Sequence, residues 1–301
     1  LDYFGDVPLS HEFNEQGVQK KSQSGPDFHA LVATIKRAID DGRLRVPSFP
    51  ENLVKLREAL DKPDSSIRNL AQLAHTDPVL ANRIFAIAQS AAYALNTDQQ
   101  SLLKVMQRLG MNVIRSTIYN HCLAQLFNDK RFKRVESVAN FVRNRSLEIA
   151  GIAYALSKKY RIEDSSLALL SGLFHNVGAL VILSWLSQSP SHKLSEKEQK
   201  SLILYGQYQL AGRVLERWRI PETLRRVIMA GEMSVETHDQ QNIYVHLISI
   251  ARWVSRILRN QKTIEDPPLS SLALFNLDVD QVLQDKDDLL MEMIRIIQLI
   301  R

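Results

Sequence analysis

The sequence predicts an all-α fold. Apolar residues recur at helical spacing from residue 28 to the C-terminus, helix start and stop signals fall at most segment boundaries, and no segment alternates with period two between turns. The 301 residues include only 11 Gly and 10 Pro, with 45% hydrophobic and 24% charged. This excludes collagen-like and disordered chains and leaves roughly two domains' worth of ordinary globular protein. No uninterrupted apolar run approaches the ~18 residues of a membrane span. The first residues do not read as a secretion signal, so a cytoplasmic location is expected. Cys122, the single cysteine, can form neither an intramolecular disulfide nor a metal-binding pair and is expected as a small core residue. The net charge of +5 is too mild and dispersed to imply nucleic acid.

Residues 1–26 lack an apolar period and end in Ser24, Gly25 and Pro26, which reads as a tail or linker. From Phe28, Leu31, Ile35, Ala38 and Ile39 share a helical face that stops at Asp40, Asp41 and Gly42. Pro50 suits a first helical turn before Leu53, Leu56 and Leu60. Ser65 or Ser66 can cap a short helix carrying Ile67, Leu70 and Leu73. Asp77 before Pro78 is a strong start signal, because the carboxylate accepts free amide hydrogens where Pro has none to satisfy; Leu80, Ile84, Ile87 and Ala88 follow as a stripe. Helices are predicted near 101–109 and 111–127, separated by Gly110, and the basic Lys130, Arg131, Lys133 and Arg134 read as a linker between two helical halves.

The second half opens with a long helix near 136–159, with Phe141, Ile149, Ile152, Ala153 and Leu156 as buried candidates. Glu163, Asp164 and Ser165 restart the chain toward Leu173, Phe174 and the His175-Asn176-Val177-Gly178 turn, beyond which Leu180, Val181, Ile182 and Leu186 are apolar again. A loop around Pro190 precedes a helix near 207–218, and Pro221 opens the next. Ile243, Leu247, Ile250, Ala251, Val254 and Leu258 form the clearest stripe, and a pair of helices after Pro267 and Pro268 closes the chain. The expected organisation is an N-terminal bundle over 27–130 and a second bundle over 131–301.

Three ordered stretches resemble the HDOD family, relatives of HD-domain metal phosphohydrolases found in bacterial signalling proteins. The first comprises Val46 to Pro50, Leu70, Ala71 and Leu73, Asp77 to Leu80, Ala88 to Ser90, and Leu109 with Gly110. The second, Ser171 to Gly178, is similar to the family's Gly-Leu-Leu-His-Asp-Ile-Gly segment. The third is Glu216 to Pro221, similar to Glu-Arg-Trp-x-Leu-Pro. The resemblance implies a multi-helix fold of two packed bundles, an HDOD-specific one and an HD-like one, and a role in signal transduction.

In HD phosphohydrolases a first histidine, the His-Asp pair and a later aspartate hold divalent metal. The corresponding positions here resemble Arg145, His175 with Asn176, and Arg252, while further histidines of some relatives fall near Tyr208 and the Gly231, Glu232 pair. A divalent ion needs lone pairs and negative charge to replace its hydration shell. Asn176 offers one neutral carbonyl, and Arg145 and Arg252, if inward, bring fixed positive charge. At ~5 Å and an effective dielectric of ~20 each repels a dication by several kcal/mol. No metal and no cofactor are expected.

The blander readings stand beside these. His175 also suits a hydrogen-bonded core residue, and Asn176 a residue satisfying its neighbouring turn. Arg145 and Arg252 can together bind a phosphate or other anion; equally, they can pair with Glu148 or Glu232 or reach toward solvent. The basic group Arg213, Arg217, Arg219, Arg225 and Arg226 is interrupted by Glu216 and Glu222 and has no aromatic platform, so neither nucleic acid nor a membrane is expected as partner. The expected function is a catalytically inactive HDOD-type regulatory module acting through a signalling-protein partner. The alternatives are a metal-dependent phosphohydrolase with an atypical site built on His175, Asn176 and Glu232, and a phosphate- or nucleotide-sensing module anchored by Arg145 and Arg252.

Overall fold

A computed structural model of the chain describes residues 26–49, 51–61, 66–90, 101–162, 164–188, 194–218, 225, 228, 243–259 and 267–300. Among them there are helices and no strand. Local chemistry starts most of these helices. Asp27 caps α1 (Phe28–Asp40), and α2 spans Glu51–Asp61. Ser66 caps α3 (Ile67–Ala74), while Ser65 lies outside the described residues. The Asp77 carboxylate accepts the Val79 and Leu80 amides at 3.0 and 3.1 Å at the head of α4 (Pro78–Gln89), with Pro78 in its first turn. Ser101 caps α5 (Leu102–Leu109), and Gly110, at φ 84°, turns the chain directly into α6 (Met111–Phe127). That backbone conformation favours glycine.

The basic stretch is not a loose linker. Lys130–Val135 forms a 3-10 turn that seats Phe132 and Val135 in the core and runs straight into α7 (Glu136–Tyr160). Asp164 caps α8 (Ser165–Phe174), and α9 follows at Ala179–Gln188. α10 spans Glu196–Trp218, beginning well before the predicted residue 207. Its start is a capping box, in which the Glu198 carboxylate accepts the Ser195 amide at 2.7 Å and the Ser195 hydroxyl accepts the Glu198 amide at 3.3 Å. Its first turn is polar, so apolar periodicity begins only at Leu202. α11 is Ile243–Leu258. Instead of a closing pair there are two short helices, α12 (Leu269–Leu274) and α13 (Val279–Gln284), and the longer α14 (Lys286–Ile300). The helix predicted after Pro221 and the tail up to residue 25 lie outside the described residues.

The core has two parts that share α7. One gathers the buried faces of α1 to α6, the first half of α7, and α8 to α10; the other gathers Ile149, Ile152 and Leu156 of α7 with α11 to α14. Burial rather than charge holds α14 in place. Leu289, Met293 and Ile297 are each 3% exposed or less, and full burial of such a side chain is worth ~1.5–3 kcal/mol. The Lys158–Glu292 and Lys159–Asp288 pairs beside them are solvent-exposed contacts, worth ~0–1 kcal/mol each. Cys122 is fully buried in the core and forms no disulfide. Ser165–Gln188, spanning α8 and α9, is apolar and long enough to pass for a membrane span, which qualifies the expectation from run length; 89% of its most apolar window is buried inside the protein.

Two close approaches position the turn between α8 and α9. A Cβ at Gly172 would lie 2.3 Å from the Ala150 Cα, and one at Gly178 would lie 1.8 Å from the Gln207 carbonyl oxygen. Only hydrogen fits at either point, so α8 rests directly on α7 and the turn rests on α10.

Candidate functional site

The turn sets His175 and Asn176 among α7, α10 and α11. His175 is 3% exposed, and its Nδ1 lies 2.6 Å from the Gly172 carbonyl. A carbonyl can only accept, so Nδ1 carries the hydrogen and Nε2 keeps its lone pair. That Nε2 is buried and meets no hydrogen-bond partner. Burial pushes the imidazole pKa down to about 3; the Gly172 bond opposes this, and the charges of Arg145 and Arg252 add to it. The ring is therefore neutral at physiological pH.

Asn176 is turned toward α7 and bonded at both ends. Its Oδ1 accepts from the Ser146 hydroxyl at 2.6 Å and its Nδ2 donates to the Val142 carbonyl at 3.2 Å. Ser146 Oγ also lies 3.1 Å from the Val142 carbonyl; its single proton best serves the shorter contact. Thus Asn176 satisfies a neighbouring helix rather than its own turn.

Arg145, on the same helix, is 8% exposed, and its Nε has no partner. Burial, foremost, and the Arg252 charge bring its pKa down to about 10, with Glu148 opposing, so it remains cationic. Glu148 is not its ion-pair partner. The Glu148 carboxylate accepts from Ser255 Oγ at 2.6 Å and Arg259 Nε at 3.0 Å, and Arg259 Nη2 binds its other oxygen. Arg252 is half-buried, with its guanidinium 5.5 Å from the Tyr208 ring centroid, a cation–π geometry. Gln207, beside Tyr208, is 2% exposed and its Oε1 is buried without a partner. The structure thus brings Arg145, His175, Tyr208 and Arg252 together. Glu232 lies outside the described residues.

These residues do not fit a divalent ion. The amide oxygen of Asn176 is engaged by Ser146, and the lone pair of His175 shares its surroundings with the cationic Arg145. Among the described residues no three His, Cys, Asp or Glu side chains are grouped to hold an ion.

Elsewhere, His121 Nε2 lies 2.9 Å from the carboxylate of Asp77, tying α6 to the cap of α4. Of the basic group, Arg213 pairs with Asp40 at 2.7 Å, Arg217 donates to Ser48 Oγ, and Arg225 lies 4.0 Å from Glu216, while Arg219 and Arg226 lie outside the described residues. Ser146, Gln207, Ser255 and Arg259 are additions that the sequence reading missed. Arg252 and Ser255 on α11 and Arg259 just past its end, spaced at i, i+3 and i+7, form a polar stripe that helical periodicity could have exposed. No local signal marks Gln207.

The HDOD domain family model matches residues 46–233, more than half of the chain. A curated Treponema pallidum protein, itself uncharacterised, is 21% identical over 264 residues, covering 84% of this chain and 50% of its own. The chain therefore spans about half the length of that relative. Among solved structures, a Shewanella amazonensis protein provisionally called a metal-dependent phosphohydrolase matches with TM-score 0.71 and 21% identity, over 91% of this chain and 99% of that one. A Marinobacter aquaeolei protein provisionally called a signal transduction protein matches with TM-score 0.58 and 18% identity, over 91% and 66%.

Proposed function

The chain belongs to the HDOD domain family, and from that premise we propose that it is a catalytically silent regulatory module that works by binding a signalling protein. The similar solved structures carry names of both kinds, signal transduction and phosphohydrolase. The observation that carries the silent reading is the pair of hydrogen bonds by which Asn176 accepts from Ser146 and donates to Val142, with a buried Arg145 beside His175. A hydrolase would need that position to present a carboxylate to an ion, and the amide instead holds the turn to α7. The site is thus a degenerate metal centre whose former ligand positions support packing. The test is turnover: the purified chain with added manganese should hydrolyse phosphodiester and nucleotide substrates no faster than buffer. Turnover lost in His175→Ala would overturn the reading.

A second reading, a phosphate- or nucleotide-sensing module, is favoured by one specific observation. The Arg145 guanidinium is buried, its Nε has no partner, and the nearby carboxylate of Glu148 is held by Arg259 and Ser255.

A further inference from the structure

We propose that the Arg145–His175 cluster recognises an oxyanion that still carries a proton, hydrogen phosphate, and discriminates against sulfate. This rests on the sensing reading above and specifies its ligand. Three buried polar atoms around the α8–α9 turn have no partner: Arg145 Nε, His175 Nε2 and Gln207 Oε1. Arg145 and His175 belong to one neighbourhood, since Arg145 acts electrostatically on His175, and the Gln207 backbone lies against Gly178 of the same turn. Their chemistry is mixed. Arg145 offers an N–H on a cation, whereas His175 offers a lone pair because Gly172 holds its hydrogen on Nδ1. The Gln207 carbonyl oxygen is a second acceptor.

A ligand that meets Arg145 and His175 together needs a negative oxygen and an O–H on the same centre. Hydrogen phosphate has both: P–O⁻ accepts from Arg145, and P–OH donates to His175 or Gln207. Sulfate has the same shape and no proton. It can satisfy Arg145 but sets an oxygen against the His175 lone pair, leaving buried acceptors unmet. Such a mismatch corresponds to a ~10-fold or greater loss of affinity. A divalent cation would suit the lone pairs and is repelled by Arg145. Phosphomonoesters lose their last proton with a pKa near ~6, whereas inorganic phosphate keeps one at pH 7.5. The two sources of the same chemistry therefore separate by pH.

The test is calorimetric titration of the full chain at pH 7.5 and matched ionic strength with inorganic phosphate, sulfate and adenosine 5′-monophosphate. The expected result is one-to-one binding of phosphate, sulfate at least ~10-fold weaker, and the monophosphate gaining on phosphate when the pH is lowered to 5.5. Arg145→Met abolishes binding; if that variant fails to fold by circular dichroism, Arg145→Lys, which keeps charge but loses the planar donor edge, weakens phosphate instead. His175→Gln, whose amide can turn an N–H to the ligand, raises sulfate relative to phosphate. Phosphate and sulfate bound equally, and both lost in the Arg145 variant, would sink the proton requirement while leaving anion sensing intact. Binding of neither would sink both.

Discussion

Replacing Asn176 by Asp, the residue of the metal-binding pattern, restores a carboxylate without restoring its surroundings. The donor to the Val142 carbonyl, 3.2 Å away, disappears, and two acceptors then face each other across a buried contact, a loss of ~1–3 kcal/mol. The Ser146 bond at 2.6 Å remains and strengthens by roughly 1 kcal/mol against a charged acceptor. Ionising a group at a position only 2% exposed costs several kcal/mol more, partly offset by Arg145. The net expectation for Asn176→Asp is a destabilisation of ~2–4 kcal/mol, or roughly 4–10 °C in Tm for a chain of this size. Protonated Asp can donate to Val142 as the amide did, so the buried carboxyl favours its neutral form. Relative to the parent, the variant therefore loses stability as pH rises above the unfolded carboxyl value of ~3.9. Urea denaturation at pH 5 and pH 8 reads both effects. A variant as stable as the parent at pH 8, with no pH dependence of the difference, would refute the assignment of Asn176 to α7.

His175 makes a second pH prediction. Its folded pKa of about 3 lies below the unfolded ~6.5, so its contribution is complete above pH 6.5 and falls as pH drops toward 3, by at most ~1.4 kcal/mol per pH unit. Denaturation curves of His175→Gln should show a shallower acid slope, and an unchanged slope would contradict the burial argument. Asp77 shares that sign: burial raises its pKa, but the Leu80 amide, His121 and the Val79 amide outweigh it, so its stabilisation fades only below ~3.9, and Asp77→Asn should flatten that lower window. Glu148→Ala removes the buried carboxylate that the partly buried Arg259 and Ser255 share and should cost ~3 kcal/mol, while Lys158→Ala, on the surface, should cost under ~1 kcal/mol; equal thermal shifts would remove the distinction. Gly178→Ala drives a Cβ to 1.8 Å from the Gln207 carbonyl and should destabilise by more than ~3 kcal/mol, and a parental melting temperature would show that the turn does not rest on α10.

Legibility followed distance along the chain. Asp77, Ser66 and Asp164 announced their helices because a cap bonds amides two or three residues away. The Ser195–Glu198 box was equally local and was masked only by the polar first turn of α10. The site was legible as a set of departures from a family pattern, since Arg145, Asn176 and Arg252 stand where metal ligands stood. What each does with its polar atoms was not. The Ser146 partner of Asn176 is 30 residues away, and Arg259 reaches Glu148 across 111. Such pairings arise from how α7, α8 and α11 cross, which the glycines at 172 and 178 permit but do not spell out in sequence.

Metal stoichiometry tests the account at its centre. Elemental analysis of the full chain, purified without chelator and dialysed against manganese, should find well under one equivalent of any transition metal, the same as in His175→Ala. One tightly retained equivalent per chain, lost on that substitution, would contradict it.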